Sequence, residues 1–95
     1  MSFVLIVRMQ AAPGNEDRAA EVMTELAAAS REEPGVEEYQ PCRDPENPAS
    51  FVLYERYRDR AAWEEHGQTD HFKRLGPGEL FPLMESRERL IFETF

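Results

Sequence analysis

The sequence has few of the devices that usually hold a small domain together. It is 95 residues long and contains one cysteine, Cys42. No intrachain disulfide can therefore form, and a lone thiol suits a reducing compartment. No run of ~18 apolar residues occurs, which argues against a membrane-spanning helix. Positive charge is in the minority: 11 Lys and Arg stand against 19 Asp and Glu, a net charge of −8. Such a chain is repelled by nucleic-acid phosphate and by anionic lipid headgroups, so neither nucleic acid nor a membrane is an expected partner. The one close basic cluster, Arg56, Arg58 and Arg60, reads as a solvated strand end. The five glycines form no phosphate-binding loop and no dinucleotide fingerprint, and there is no serine-hydrolase elbow. No flavin, nicotinamide or other cofactor is expected. The N-terminus has no basic segment and no small-residue cleavage site of the kind that marks a signal peptide, so the cytoplasm is the expected location.

A chain of this length makes one domain, residues 1–95, that buries only about 60–65% of its unfolded surface. With disulfides unavailable, association is the remaining way to complete a thin core. Phe3 to Gln10 is a continuous apolar, β-branched run that suits a central strand, ended by Pro13-Gly14. Asn15 as N-cap, with Glu16 and Asp17 on the first turn, predicts a helix to about Glu32. Its apolar stripe is Ala19, Val22, Met23, Leu26, Ala27 and Ser30, and Glu33-Pro34-Gly35 stops it. Val36–Arg43 and Phe51–Arg58 read as strands joined across the polar loop Asp44–Pro48, and so as an antiparallel hairpin. Asp59 caps a short helix, Arg60 to Gly67. Thr69 or Asp70 caps another from His71, which Gly76-Pro77-Gly78 interrupts and Pro82 kinks. Arg87–Phe95 is the last strand.

Strand, helix, strand, strand, helix, strand is the α+β, ferredoxin-like split βαβ arrangement: a four-stranded antiparallel sheet with helices on one face. The other face is left bare, and Ile6, Tyr39, Val52, Tyr54 and Ile91 include candidates for it. An exposed apolar face of that kind marks an interface.

His66 and His71 are the only histidines. Imidazole titrates near neutral pH, so either could move a proton to or from a phenol. As a structural group, His66 would instead sit at a helix end, satisfied by a carbonyl or by Glu55. A spacing of five residues across a helix break does not in itself present both rings to one ion, so no metal site is expected. Glu55 lies mid-strand in an apolar run, where a carboxylate is costly unless paired. It either orients His66, pairs with an arginine, serves structurally, or makes an interface contact. Trp63, Phe72, Phe81 and Phe92 either line a flat aromatic pocket or simply fill the core. Arg8, at the end of the first strand, either holds an anionic oxygen or is an exposed strand end. Cys42, flanked by Arg43 and Asp44 with no histidine near in sequence, is a poor nucleophile candidate.

The stretch from Phe51 to Phe72 resembles the antibiotic biosynthesis monooxygenase (ABM) domain. Its Phe51-Val52-Leu53-Tyr54-Glu55-Arg56-Tyr57 matches the third-strand motif. An alanine-to-histidine helix ending in His66 follows, and then His71-Phe72. Pro13-Gly14, Glu33-Pro34-Gly35 and Asp44–Pro48 fall where that family has its turns. The resemblance implies a homodimer whose two sheets face each other as a dimeric α/β barrel. It also implies a cofactor-independent monooxygenase that oxidises a small electron-rich aromatic, a quinol or polyphenol, with dioxygen. On that reading His66 or His71 is the base, Glu55 its orienter, and Tyr57, Trp63, Phe72 and Arg8 the substrate contacts. A non-catalytic dimeric binding module and an isomerase on the same fold are the alternatives. Three departures stand out: Tyr57 replaces the usual tryptophan, Gly76-Pro77-Gly78 breaks a helix, and the first strand lacks the asparagine of the haem-degrading relatives.

Overall fold

In the computed structural model, which describes residues 1–95, the element order is as the sequence predicts. The elements are β1 (Phe3–Ala11), α1 (Glu16–Ser30), β2 (Val36–Arg43), β3 (Ser50–Tyr57), α2 (Arg60–Gln68), α3 (Asp70–Leu75) and β4 (Met84–Glu93). The sheet order is β2-β3-β1-β4, with every pairing antiparallel. This is the ferredoxin-like split βαβ. The apolar run of β1 is central, paired with β3 on one side and β4 on the other. No helix is long and apolar enough to cross a membrane.

The predicted stripe of α1, Ala19 to Ser30, is the buried one. It packs over Leu5, Val7, Met9 and Ala11 of β1 and over Phe51 and Leu53 of β3. The helix begins one residue after Asn15, whose amide donates to the Leu83 carbonyl at 3.3 Å and makes no side-chain cap. Asp59 does cap α2, accepting from the Ala62 N–H at 2.9 Å. Gly35 lets the chain pass close against α2: a Cβ added there would lie 2.5 Å from that of Ala62. After α3, Gly76–Leu80 forms one wide π-type turn and Phe81–Leu83 a 3-10 turn, where the sequence predicts a break. β4 starts three residues earlier than expected, because Met84 pairs with Ala11 across a bulge at Gln10.

Register corrects the expected faces. Tyr39 pairs opposite Glu55 and is buried under the helices, so it is not on the bare face. Ile91 pairs opposite Leu5 and shares the helix side. Phe92, expected with the aromatic pocket, stands opposite Val4 on the uncovered side and is 52% exposed. The uncovered face therefore carries Val4, Ile6, Val52, Tyr54, Leu90 and Phe92, with Ile6, Val52 and Tyr54 placed as expected.

Candidate functional site

Between the sheet and the α2–α3 segment lies a pocket of about 350 Å³. Its floor is Leu5, Val7, Met9 and Leu53, and its walls include Trp63, Phe72 and Phe81. Trp63 is held by stacking on Phe3, centroids 5.0 Å apart. Two ionisable groups enter this apolar space from deep positions: Glu55 of β3, 3% exposed, and His66 of α2, 2% exposed.

His66 Nδ1 lies 2.7 Å from Oε2 of Glu33, and His71 Nε2 lies 2.6 Å from the same oxygen. The turn at Thr69 makes this possible. Its hydroxyl donates to the His66 carbonyl at 2.8 Å and accepts from the Phe72 N–H at 3.2 Å, ending α2 and restarting the chain as α3. The five-residue spacing thus brings both rings to one carboxylate. A carboxylate only accepts, so each facing nitrogen carries the proton. That leaves His66 Nε2 with its lone pair, and this atom is buried with no partner. Burial pushes the His66 pKa down and the Glu33 carboxylate opposes that shift. The ring is thereby favoured as neutral imidazole.

Glu55 is not the partner of His66. It accepts a hydrogen bond from the Tyr57 hydroxyl. Burial raises its pKa to about 7, against the lowering effect of Tyr57 and of Arg89. Tyr57 and Tyr39 are both pushed up, first by burial and then by the Glu55 charge, so neither phenol ionises near neutral pH. The rings of Tyr39 and Tyr57 each lie 5.5 Å from that of His66, and Phe72 lies 5.0 Å from it.

Of the residues singled out from sequence as site candidates, Glu55, Trp63, His66, Phe72 and Phe81 line the pocket. Tyr57 is fully buried behind Glu55 rather than in the wall, and His71 touches the site through Glu33. Arg8 lies on the opposite face of the sheet, exposed and paired with Glu88 at 3.7 Å. Sequence reasoning missed Glu33, which reads only as the end of a helix and lies 33 and 38 residues from its partners. It also missed Arg87 and Arg89, which line the outer pocket. Glu33, His66 and His71 are the residues that could hold a metal, their donor atoms lying within 4.8 Å of one another. Binding one there would require both facing nitrogens to lose their protons.

A split βαβ sheet roofed by helices over an aromatic hollow, with a carboxylate-anchored histidine in its wall, defines the class of domain. The family model of the antibiotic biosynthesis monooxygenases (ABM) matches residues 2–76, and the chain belongs to this family. A protein from Pseudomonas aeruginosa is 30% identical, with a TM-score of 0.90 over 99% of this chain and 94% of that one. A structure described as an antibiotic biosynthesis monooxygenase is 26% identical, with a TM-score of 0.89 over 98% of each chain. A Bacteroides thetaiotaomicron protein described as a possible oxidoreductase is 25% identical, with a TM-score of 0.85 over 96% of this chain and 97% of that one. Among curated proteins none matches the chain.

Proposed function

We propose that this protein is a cofactor-independent monooxygenase that oxidises an electron-rich aromatic, a quinol or polyphenol, with dioxygen. The observation that carries the reading is His66: buried in the wall of an apolar pocket, anchored through Nδ1 on Glu33, with Nε2 unpartnered. A buried polar atom left unsatisfied costs free energy, and such atoms concentrate where chemistry uses them. A neutral imidazole held by a carboxylate is the arrangement that accepts a proton from a bound hydroxyl.

His66 takes the phenolic proton. The resulting anion is electron-rich enough to reduce dioxygen itself. In an anthrone, the ring CH₂ becomes C=O: one oxygen atom enters the ring carbon, the other leaves as water, and the substrate supplies all four electrons. Glu55, protonated below about pH 7, donates a hydrogen bond to the phenolate oxygen, as a neutral carboxyl in an apolar site can. Trp63 and Phe72 hold the ring plane. Glu33 is the positioning residue and fills the role the sequence assigned to Glu55.

Two copies join through the uncovered sheet face, whose Val4, Ile6, Tyr54 and Phe92 form an apolar surface of the kind that marks an interface. Light scattering at micromolar concentration should give twice the 11.0 kDa chain mass; a monomer would refute the dimer.

The test of the reaction is oxygen uptake and quinone absorbance with a panel of dihydroxynaphthalenes and anthrones. Uptake above the spontaneous rate, one dioxygen per quinone formed, is the expected result. Turnover without oxygen loss would make the protein an isomerase. Saturable quenching of Trp63 fluorescence with no turnover of any substrate would make it a binding module. Either outcome overturns the oxygenase reading.

A further inference from the structure

Nearly every arginine in this acidic chain is engaged. Arg8, Arg18, Arg43, Arg56, Arg58, Arg60 and Arg74 pair with carboxylates, and Arg31 donates to the Tyr39 carbonyl at 3.0 Å. Arg87 and Arg89 are the exceptions: neither side chain has a carboxylate or carbonyl partner, although the chain has 19 acidic residues. Both line the pocket. They sit two residues apart on β4, opposite Met9 and Val7, and so project on the helix side of the sheet. Glu88, between them in sequence, projects the other way and pairs with Arg8.

Aromatic rings hold the two guanidinium groups. The Arg87 guanidinium lies 3.7 Å from the Phe81 ring centroid, and that of Arg89 5.5 Å from the Trp63 centroid. Cation–π attraction of this kind does not consume the guanidinium N–H groups, which stay available to an anion. The charge is also felt inside the pocket, since Arg89 acts to lower the pKa of Glu55. Of the two acids in the pocket wall, Glu64 pairs with Arg60 at 3.5 Å and Glu55 is bonded by Tyr57. Neither neutralises the arginine pair.

Resting on the aromatic-substrate reading above, we propose that the substrate is a hydroxylated polycyclic ring bearing a carboxylate, with the ring between the aromatic walls and the carboxylate on Arg87 and Arg89. Two unpaired guanidinium groups lining one pocket suit a carboxylate, because charge-assisted N–H···O bonds are stronger than neutral ones. The same pair would discriminate against the neutral phenol that lacks that group.

Calorimetric titration of the wild-type protein with a hydroxynaphthoate, and with the naphthol that lacks its carboxylate, tests this. The hydroxynaphthoate should bind about tenfold tighter or more, and its advantage should shrink as salt is raised. In the Arg87→Gln, Arg89→Gln double variant that advantage should vanish, while circular dichroism and continued saturable binding of the naphthol show that the pocket remains folded. Equal affinities in the wild type, or an advantage that survives in the double variant, would overturn the arginine assignment and leave the aromatic pocket intact. If neither probe binds, the pocket reading falls and takes this inference with it.

Discussion

His66 and His71 share one oxygen of Glu33 at nearly equal distances, 2.7 and 2.6 Å, yet their surroundings differ. His66 is enclosed by Tyr39, Tyr57 and Phe72, lines the pocket, and keeps an unpartnered ring nitrogen. His71 keeps 22% of its side-chain exposure and has no place in the pocket wall. A shared partner fixes both orientations, and burial alone separates the roles. Enclosure lowers the basicity of the His66 ring and places it in the wall of an apolar hollow, which His71 does not line.

Substitution at the two histidines should give the largest contrast. His66→Ala should lower kcat/KM for an active aromatic substrate by about 10²–10⁴, the usual worth of a positioned general base. Steady-state oxygen uptake checks this, with circular dichroism confirming the fold. Glu33→Gln should come next, lowering the rate roughly a hundredfold, since a base whose orienting carboxylate is lost adopts the wrong tautomer or angle. Because Glu33 raises the His66 pKa against burial, removing its charge should also move the acid limb of the pH–rate profile to lower pH. An unmoved limb would detach Glu33 from the titrating group.

Glu55 offers a comparison through stability. Its folded-state pKa, about 7, stands above its ordinary value of 4.5. The native state therefore holds the proton more tightly than the unfolded chain. This contribution is fully present below pH 4.5 and is lost as pH rises towards 7. The loss is roughly 3 kcal/mol across that window, and urea unfolding at several pH values should show it. In Glu55→Gln the downward slope should disappear. In activity, ionisation of Glu55 removes a hydrogen-bond donor, so the rate should fall above about pH 7. The smallest effect belongs to His71→Ala, which should lower kcat/KM by less than about tenfold because the ring acts only through Glu33.

The fold was largely legible because its signals are local. The stripe of α1, the Asp59 cap and the glycine–proline break after Leu75 each state their structure within a few residues. Strand faces were harder. A strand alternates, but sequence alone does not say which parity meets the helices. Tyr39 and Ile91 were misplaced for that reason, and only the register against Glu55 and Leu5 settles them. The candidate site was half legible: the histidines and Glu55 stand out as ionisable groups in apolar surroundings, and Trp63 and Phe72 as aromatics. Glu33 carries no such signal. It is one acid among many at a helix end, made important by a turn at Thr69 that folds two distant histidines onto it.

The most direct test of the account is a side-by-side measurement of oxygen uptake by His66→Ala and His71→Ala on one active substrate at neutral pH. The account predicts near-background uptake for the first and close to wild-type uptake for the second. Comparable activity in both variants, or loss confined to His71→Ala, would contradict it.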